Sequence, residues 1–287
     1  MYFVALLPAA ALIIFMYKKD KREKEPFKNL LGCFLFGVLS TIPAFIVEDF
    51  NIDILESDLV EGSVYYAVID AFIAVALAEE LFKYIALKIR TWKSKDFNCS
   101  FDGLVYAVTV SMGFATFENI LYVAADGGGL ETAVTRMFTA VPGHACDGVL
   151  MGYYYSKAKK ASVHGNKREE RRNKRKALIV PILAHGLYDF FLDITEEGAG
   201  EDVLLLCILL WFVYVAVLFI GSFKLINKMS RTDEPFLREE ALSDRAEIPA
   251  AAAGANTVVV INWECGCGAI NAGNYCTVCG AKRREAD

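Results

Sequence analysis

Long stretches of this 287-residue sequence contain no charged side chain at all, although charged residues make up 23% of the whole. Short amphipathic stripes, which would line a soluble core, are missing as well. Together these absences exclude an ordinary water-soluble globular chain. Basic residues are also absent ahead of the first apolar block: Lys18, Lys19, Lys21, Arg22 and Lys24 all come after it. A signal peptide has the reverse order, so the block reads as a retained span. No inverted repeat is evident, which opposes the usual plan of an ion-coupled transporter.

What is present is a series of apolar blocks, each long enough to cross a hydrocarbon core of ~30 Å. Seven spans are expected, at about 1–17, 29–47, 63–87, 102–123, 132–156, 177–194 and 202–223. The loops between them alternate in charge. Loop 48–61 carries Glu48, Asp49, Asp53, Glu56, Asp58 and Glu61, and the loop near Glu196–Asp202 is also acidic. The turn around Gly127–Gly129 has no basic residue before Arg136. Lys88, Arg90, Lys93 and Lys95, the strongly basic 157–176 and Lys224, Lys228 and Arg231 fall on the other side. Lys and Arg mark the cytoplasmic face. The sequence therefore predicts a multi-pass cell-membrane protein, N-terminus outside and C-terminus cytoplasmic. His164 lies in the basic loop and reads as a solvated histidine.

The fold class expected is an all-α polytopic membrane protein over 1–228, followed by a linker (229–256) and a small zinc ribbon (257–287). The ribbon rests on Cys265 and Cys267 as C-x-C, and Cys276 and Cys279 as C-x₂-C. Four thiolates satisfy tetrahedral zinc. Gly266, Gly268 and Gly280 permit the tight turns around the sulfurs. Two disulfides are the rival reading, opposed by a reducing cytoplasm. So small a module draws its folding energy from structural zinc. A protein partner suits it better than nucleic acid, because Lys282, Arg283 and Arg284 form only a short basic end. Cys33, Cys146 and Cys207 sit within spans and read as packing residues.

Ionisable groups inside a span are costly and mark function by default. Four consecutive spans carry them: Glu79, Glu80 and Lys83; Glu118 and Tyr122; His144 and Asp147; His185 and Asp189. Glu79 with Lys83, Glu118 with Tyr122, and His185 with Asp189 each share a helix face at i, i+4. Counting inward at 1.5 Å per residue puts Glu79 and His185 at the same depth, ~13 Å from the basic side, and His144 ~20 Å deep. The same count places Glu118 nearer the outer face, on the wall of a cavity. Carboxylates can activate water against a peptide carbonyl while imidazoles stabilise the oxyanion. Alternatively, Glu, His and His could hold a catalytic zinc, with the second Glu as base. The plain alternative is a structural ion pair of the glutamates with Lys83.

The four motifs, E-E-x-x-K from Glu79, F-E-x-x-x-Y from Phe117, H-x-x-x-G from His144 and H-x-x-x-D from His185, resemble the PrsW family of intramembrane proteases over about 60–195. That family is similar to the CAAX-protease and bacteriocin-immunity superfamily. The resemblance implies cleavage of a single-span membrane protein, such as a membrane-anchored anti-sigma factor. It makes Glu79 and Glu80 the catalytic pair, completed by His144 and His185 and supported by Lys83, Glu118, Tyr122 and Asp189. It leaves open whether the site is metal- or glutamate-dependent. A transporter, a scaffold displaying the ribbon, or a CAAX-like protease or immunity protein are the competing classes.

Overall fold

The computed structural model describes residues 2–58, 63–125, 127, 129–196, 201–237, 263–265 and 270–271. Each of the seven apolar blocks falls on helix. In chain order these are α1 (Tyr2–Lys19), α2 (Phe27–Asp58), α3 (Val64–Ile69), a π-helical stretch (Asp70–Ala76), α4 (Leu77–Thr91), α5 (Asp102–Ala125), α6 (Leu130–Phe138), α7 (Ala140–Val163), α8 (Lys167–Glu196) and α9 (Glu201–Arg231). Among the described residues, four helical stretches are long and apolar enough to cross a membrane: Phe27–Ile52, Asp102–Ala125, Lys167–Ile194 and Asp202–Arg231. The third block instead combines α3, the π stretch and α4. The fifth is divided at Thr139, where α7 begins anew with Pro142 in its first turn, a position at which the missing N–H costs nothing.

Helix α5 is the hub. Its span is 83% buried, against 11% for α9. Leu35, Leu39, Ile42 and Ile46 on α2, and Leu205, Leu209, Phe212 and Ile220 on α9, are exposed. An apolar surface of that extent suits lipid and not water. Close crossing of α2 and α5 depends on glycine: a Cβ on Gly37 would lie 2.0 Å from the Val110 carbonyl oxygen. Backbones this near each other are the mark of small-residue helix contacts in membranes.

The basic segment 157–176 is not an open loop. Helix α7 runs on to Val163, and α8 starts at Lys167 after a turn through Gly165, whose φ of 73° is left-handed. The Asn166 side chain caps α8 by accepting from the Glu169 amide at 3.1 Å. Glu170 accepts from Lys174 at 2.7 Å and Lys167 at 3.0 Å, and these pairs support the first turns of α8.

Residues after α9, expected to open the linker, fold back onto the bundle. The Ser100 amide donates to the Glu234 carbonyl (2.9 Å) and the Phe236 amide to the Asn98 carbonyl (2.8 Å). Phe236 is buried against Phe97, which stacks on Tyr155. In the tail, β1 (Trp263–Glu264) pairs antiparallel with β2 (Ile270–Asn271). Cys265 comes directly after β1 and is buried. Cys267, Cys276 and Cys279 lie outside the described residues.

Candidate active site

The π stretch ends one residue before Leu77, so Glu79 and Glu80 fall in the first turn of α4. A π insertion rotates the downstream part of a helix relative to the upstream part. Phe72 on that stretch packs against α8 at Gly186, where a Cβ would come within 2.4 Å of the ring. The residue beside that contact is His185. The absence of a side chain at Gly186 thus lets α4 and α8 approach closely enough for their polar groups to meet.

They meet at Lys83. Its ammonium donates to Glu79 Oε2 at 2.8 Å and Glu80 Oε1 at 2.7 Å, and lies 3.0 Å from His144 Nδ1. Three N–H groups are matched by three acceptors, and the cation also lies 4.1 Å from the centre of the Phe114 ring. With Nδ1 accepting from Lys83, the His144 proton resides on Nε2, which donates to Glu118 Oε2 at 2.7 Å. His185 Nδ1 lies 3.0 Å from Glu80 Oε1 and 3.8 Å from Glu79 Oε2. On the other side of the ring, His185 Nε2 is 3.1 Å from Asp189 Oδ2, out of line for a hydrogen bond but close enough for strong attraction. The two imidazoles meet edge to face with centroids 5.3 Å apart.

All four residues expected to be catalytic, Glu79, Glu80, His144 and His185, are therefore in one cluster. Of those expected to support them, Lys83 and Asp189 touch the cluster directly. Glu118, placed on the cavity wall by depth counting, lines that cavity and is also bonded to His144. Helix α7 starts at Ala140 and brings His144 to the same end of the bundle as Glu118. Tyr122 stands apart from the cluster and lies under the Arg136 guanidinium, 3.8 Å from its ring centre.

Arg136 is the residue that sequence reasoning missed. It pairs with Glu118 at 2.7 Å and donates from Nε to Asn119 at 2.8 Å. Its position inside the fifth apolar block was the available signal. Asp147 is buried too, and its Oδ1 has no hydrogen-bond partner.

A cavity of about 600 Å³ opens onto this cluster. Glu79, Glu118, Arg136, His144, His185 and Asp189 line it. Glu80 does not; it sits behind Glu79, and its Oε2 is buried without a partner. Glu48 on α2, Asp70 at the start of the π stretch and Asp193 near the end of α8 also line it. The cavity thus extends from Glu79 toward the end of the bundle opposite the basic segments.

A family model described as PrsW family intramembrane metalloprotease matches residues 25–220. The chain belongs to this family. Proteins named Protease PrsW are similar to it: 36% identical over 205 residues in Geobacillus kaustophilus, covering 71% of this chain and 84% of that protein. The Bacillus subtilis protein is 33% identical over 209 residues (72% and 89%), and that of Clostridioides difficile 30% over 217 (74% and 87%). No solved structure matches. As a PrsW-family member the chain is a membrane-embedded protease, and the region beyond residue 220, with the ribbon cysteines, lies outside the family match.

The family description raises the question of a metal. Glu79, Glu80, His144 and His185 each present one donor atom, all within 4.8 Å of one another. Two carboxylates and two imidazoles are a zinc-type donor set. The place among them is nevertheless taken: the Lys83 ammonium contacts three of the four donors. As arranged here the residues accommodate the built-in cation, and a metal ion bound by all four would require the Lys83 side chain to move out.

Proposed function

We propose that this PrsW-family protein is an intramembrane endopeptidase that cuts single-span membrane proteins by glutamate-activated water. The observation that carries this reading is the packing of two carboxylates, two imidazoles and one ammonium at the foot of a cavity of about 600 Å³. Glu79, the carboxylate facing that cavity, takes the proton of a water whose oxygen attacks the scissile carbonyl carbon. Lys83 holds Glu79 and Glu80 together despite their like charge. His185, set between Glu80 and Asp189, donates to the developing oxyanion. The proton then passes from Glu79 to the amine as the C–N bond breaks. His144 is fixed by Lys83 and Glu118 and positions the lysine. The substrate class that fits is a single transmembrane helix of the membrane-anchored anti-sigma type.

The test is cleavage of a single-span reporter by purified protein in liposomes. Glu79→Gln or Glu80→Gln keeps the shape and should reduce turnover at least ~10²-fold, as loss of a general base does. Wild-type rates in either variant would end the glutamate reading.

A metal-dependent version has one observation in its favour, the donor set itself. Glu79, Glu80, His144 and His185 would hold the ion once the Lys83 side chain moved out. Zinc would then polarise the carbonyl or acidify water. Metal analysis of protein lacking residues 257–287 separates the two, because that truncation removes the thiolates.

The same reading includes seven membrane crossings, with the N-terminus outside and the C-terminus cytoplasmic. It also includes one structural zinc on Cys265, Cys267, Cys276 and Cys279, in a ribbon that recruits a protein partner.

A further inference from the structure

A second group of buried carboxylates lies at the opposite end of the bundle, among the basic segments. Asp20 comes just after α1, Glu25 precedes α2, and Asp102 opens α5. One oxygen of each lies within 4.8 Å of the others, and their exposures are 0%, 3% and 1%.

Their hydrogen bonds leave a specific deficit. Asp102 Oδ2 accepts from the amides of Asn98 (2.9 Å) and Cys99 (2.6 Å). Glu25 Oε2 accepts from the Tyr106 hydroxyl. Among the described residues, neither oxygen of Asp20 has a hydrogen-bond partner. The amides of Glu23 and Glu25 face its carboxylate without reaching hydrogen-bond geometry. Lys24 is the nearest cation, yet its ammonium goes to the backbone carbonyls of Tyr17 and Asp20. Asp233 adds a further carboxylate: Oδ1 accepts from Ser100 Oγ (3.0 Å) and the Phe101 amide (2.8 Å), and Oδ2 is buried and unpaired. Leaving a buried carboxylate without partners costs several kcal/mol or more.

We propose that Asp20, Glu25 and Asp102 form a binding site for a hard divalent cation, Mg²⁺ or Ca²⁺. The donors are all oxygen, which suits these ions and not zinc. Asp20 supplies the unpaired oxygens, and the carboxyls of Asp102 and Glu25, which lie within hydrogen-bonding reach of each other, supply the rest. Nothing in the proteolytic cluster contributes, so the two sites are separate. Bound there, the ion staples the α1–α2 connection to the start of α5, the helix that carries Glu118 at its far end. Burial with Asp233 pushes Asp20 up to about 6, and burial pushes Glu25 up to about 7, so without an ion the cluster retains protons near neutral pH. A proton shared between Glu25 and Asp102 is therefore the competing account.

The experiment uses the full chain in detergent, stripped with EDTA. Mn²⁺ is titrated in, and the free-ion EPR signal is followed in wild type, Asp20→Asn and Glu80→Gln. One saturable site should persist in Glu80→Gln and weaken at least ~10-fold in Asp20→Asn, since losing a ligand costs no less than losing an outer partner. Mg²⁺ or Ca²⁺ should displace it. If Asp20→Asn fails to fold, Tb³⁺ on the wild-type chain replaces it. Tyrosine-sensitised emission should appear, fall on adding Ca²⁺ or Mg²⁺, and dim in Tyr106→Phe, because the Tyr106 hydroxyl sits on Glu25. Mn²⁺ affinity unchanged in Asp20→Asn, or Tb³⁺ emission unchanged by both competing ions, overturns the proposal and leaves the shared proton.

Discussion

Lys83 binds both glutamates and His144 with three N–H groups, so each proposed role passes through it. Lys83→Met leaves two carboxylates buried with no cation between them. Removing one partner of a buried ion pair costs about 3–5 kcal/mol, and thermal unfolding in detergent should show a loss of that order along with loss of cleavage. A variant with unchanged stability would mean that the carboxylates do not depend on the ammonium. Lys159 makes a different forecast. It is buried, donates to the Trp92 carbonyl at 2.8 Å, and burial with Lys174 pulls it from 10.5 to about 8. Between those two values the unfolded chain binds the extra proton, so this group's contribution to stability rises with pH from about 8 to 10.5. The stability of wild type relative to Lys159→Met should therefore be higher at pH ~10 than at pH ~7; a pH-independent difference would refute it. The sequence disclosed the acids, the lysine and both histidines, because ionisable groups stand out in apolar blocks. It did not disclose Arg136 as a partner, since its contacts with Glu118 and Asn119 arise only when α6 folds over the end of α5.

At the scale of elements, hydrophobic length revealed where the helices are but not where they stop. Polar helix ends extend past hydrocarbon, held by pairs such as Glu170 with Lys174, and no apolar pattern marks them. The π stretch at Asp70–Ala76 leaves no trace in composition, while the break at Thr139 lies just before Pro142 and Gly143, residue types that permit a kink. The contact of Phe72 with Gly186 is what makes the π stretch matter. Gly186→Ala should separate α4 from α8 and reduce cleavage by about tenfold or more, because misplacing reacting groups by an ångström carries such costs. Phe72→Ala removes the obstructing ring and should restore much of the activity in the double variant. Failure of that rescue, with the protein folded, would locate the defect elsewhere.

For the whole molecule, the sequence supported a helical membrane protein because charge and apolar length alternate along it. The arrangement of helices around α5 was not read from the sequence, although the Gly, Ala, Ser and Thr of α5 and its mean hydropathy of 1.4, against 3.1 for α9, set the buried span apart from the lipid-facing one. Sidedness is tested by labelling single cysteines placed at Leu55 and the exposed Glu169 in a background without the native thiols. Leu55 should react from outside the cell and Glu169 only after the membrane is opened. The opposite pattern would put the ribbon outside the cell, where its cysteines favour disulfides.

The docking of residues 234–236 onto 98–100 fixes where the tail departs. From Leu237 to Trp263 the chain can extend at most about 90 Å, at ~3.5 Å per residue. A partner recruited by the proposed ribbon would stay within that radius of the first turn of α5. Its concentration there would be set by chain length and not by abundance in the cell, so weak recognition would suffice to keep it at this face of the bundle.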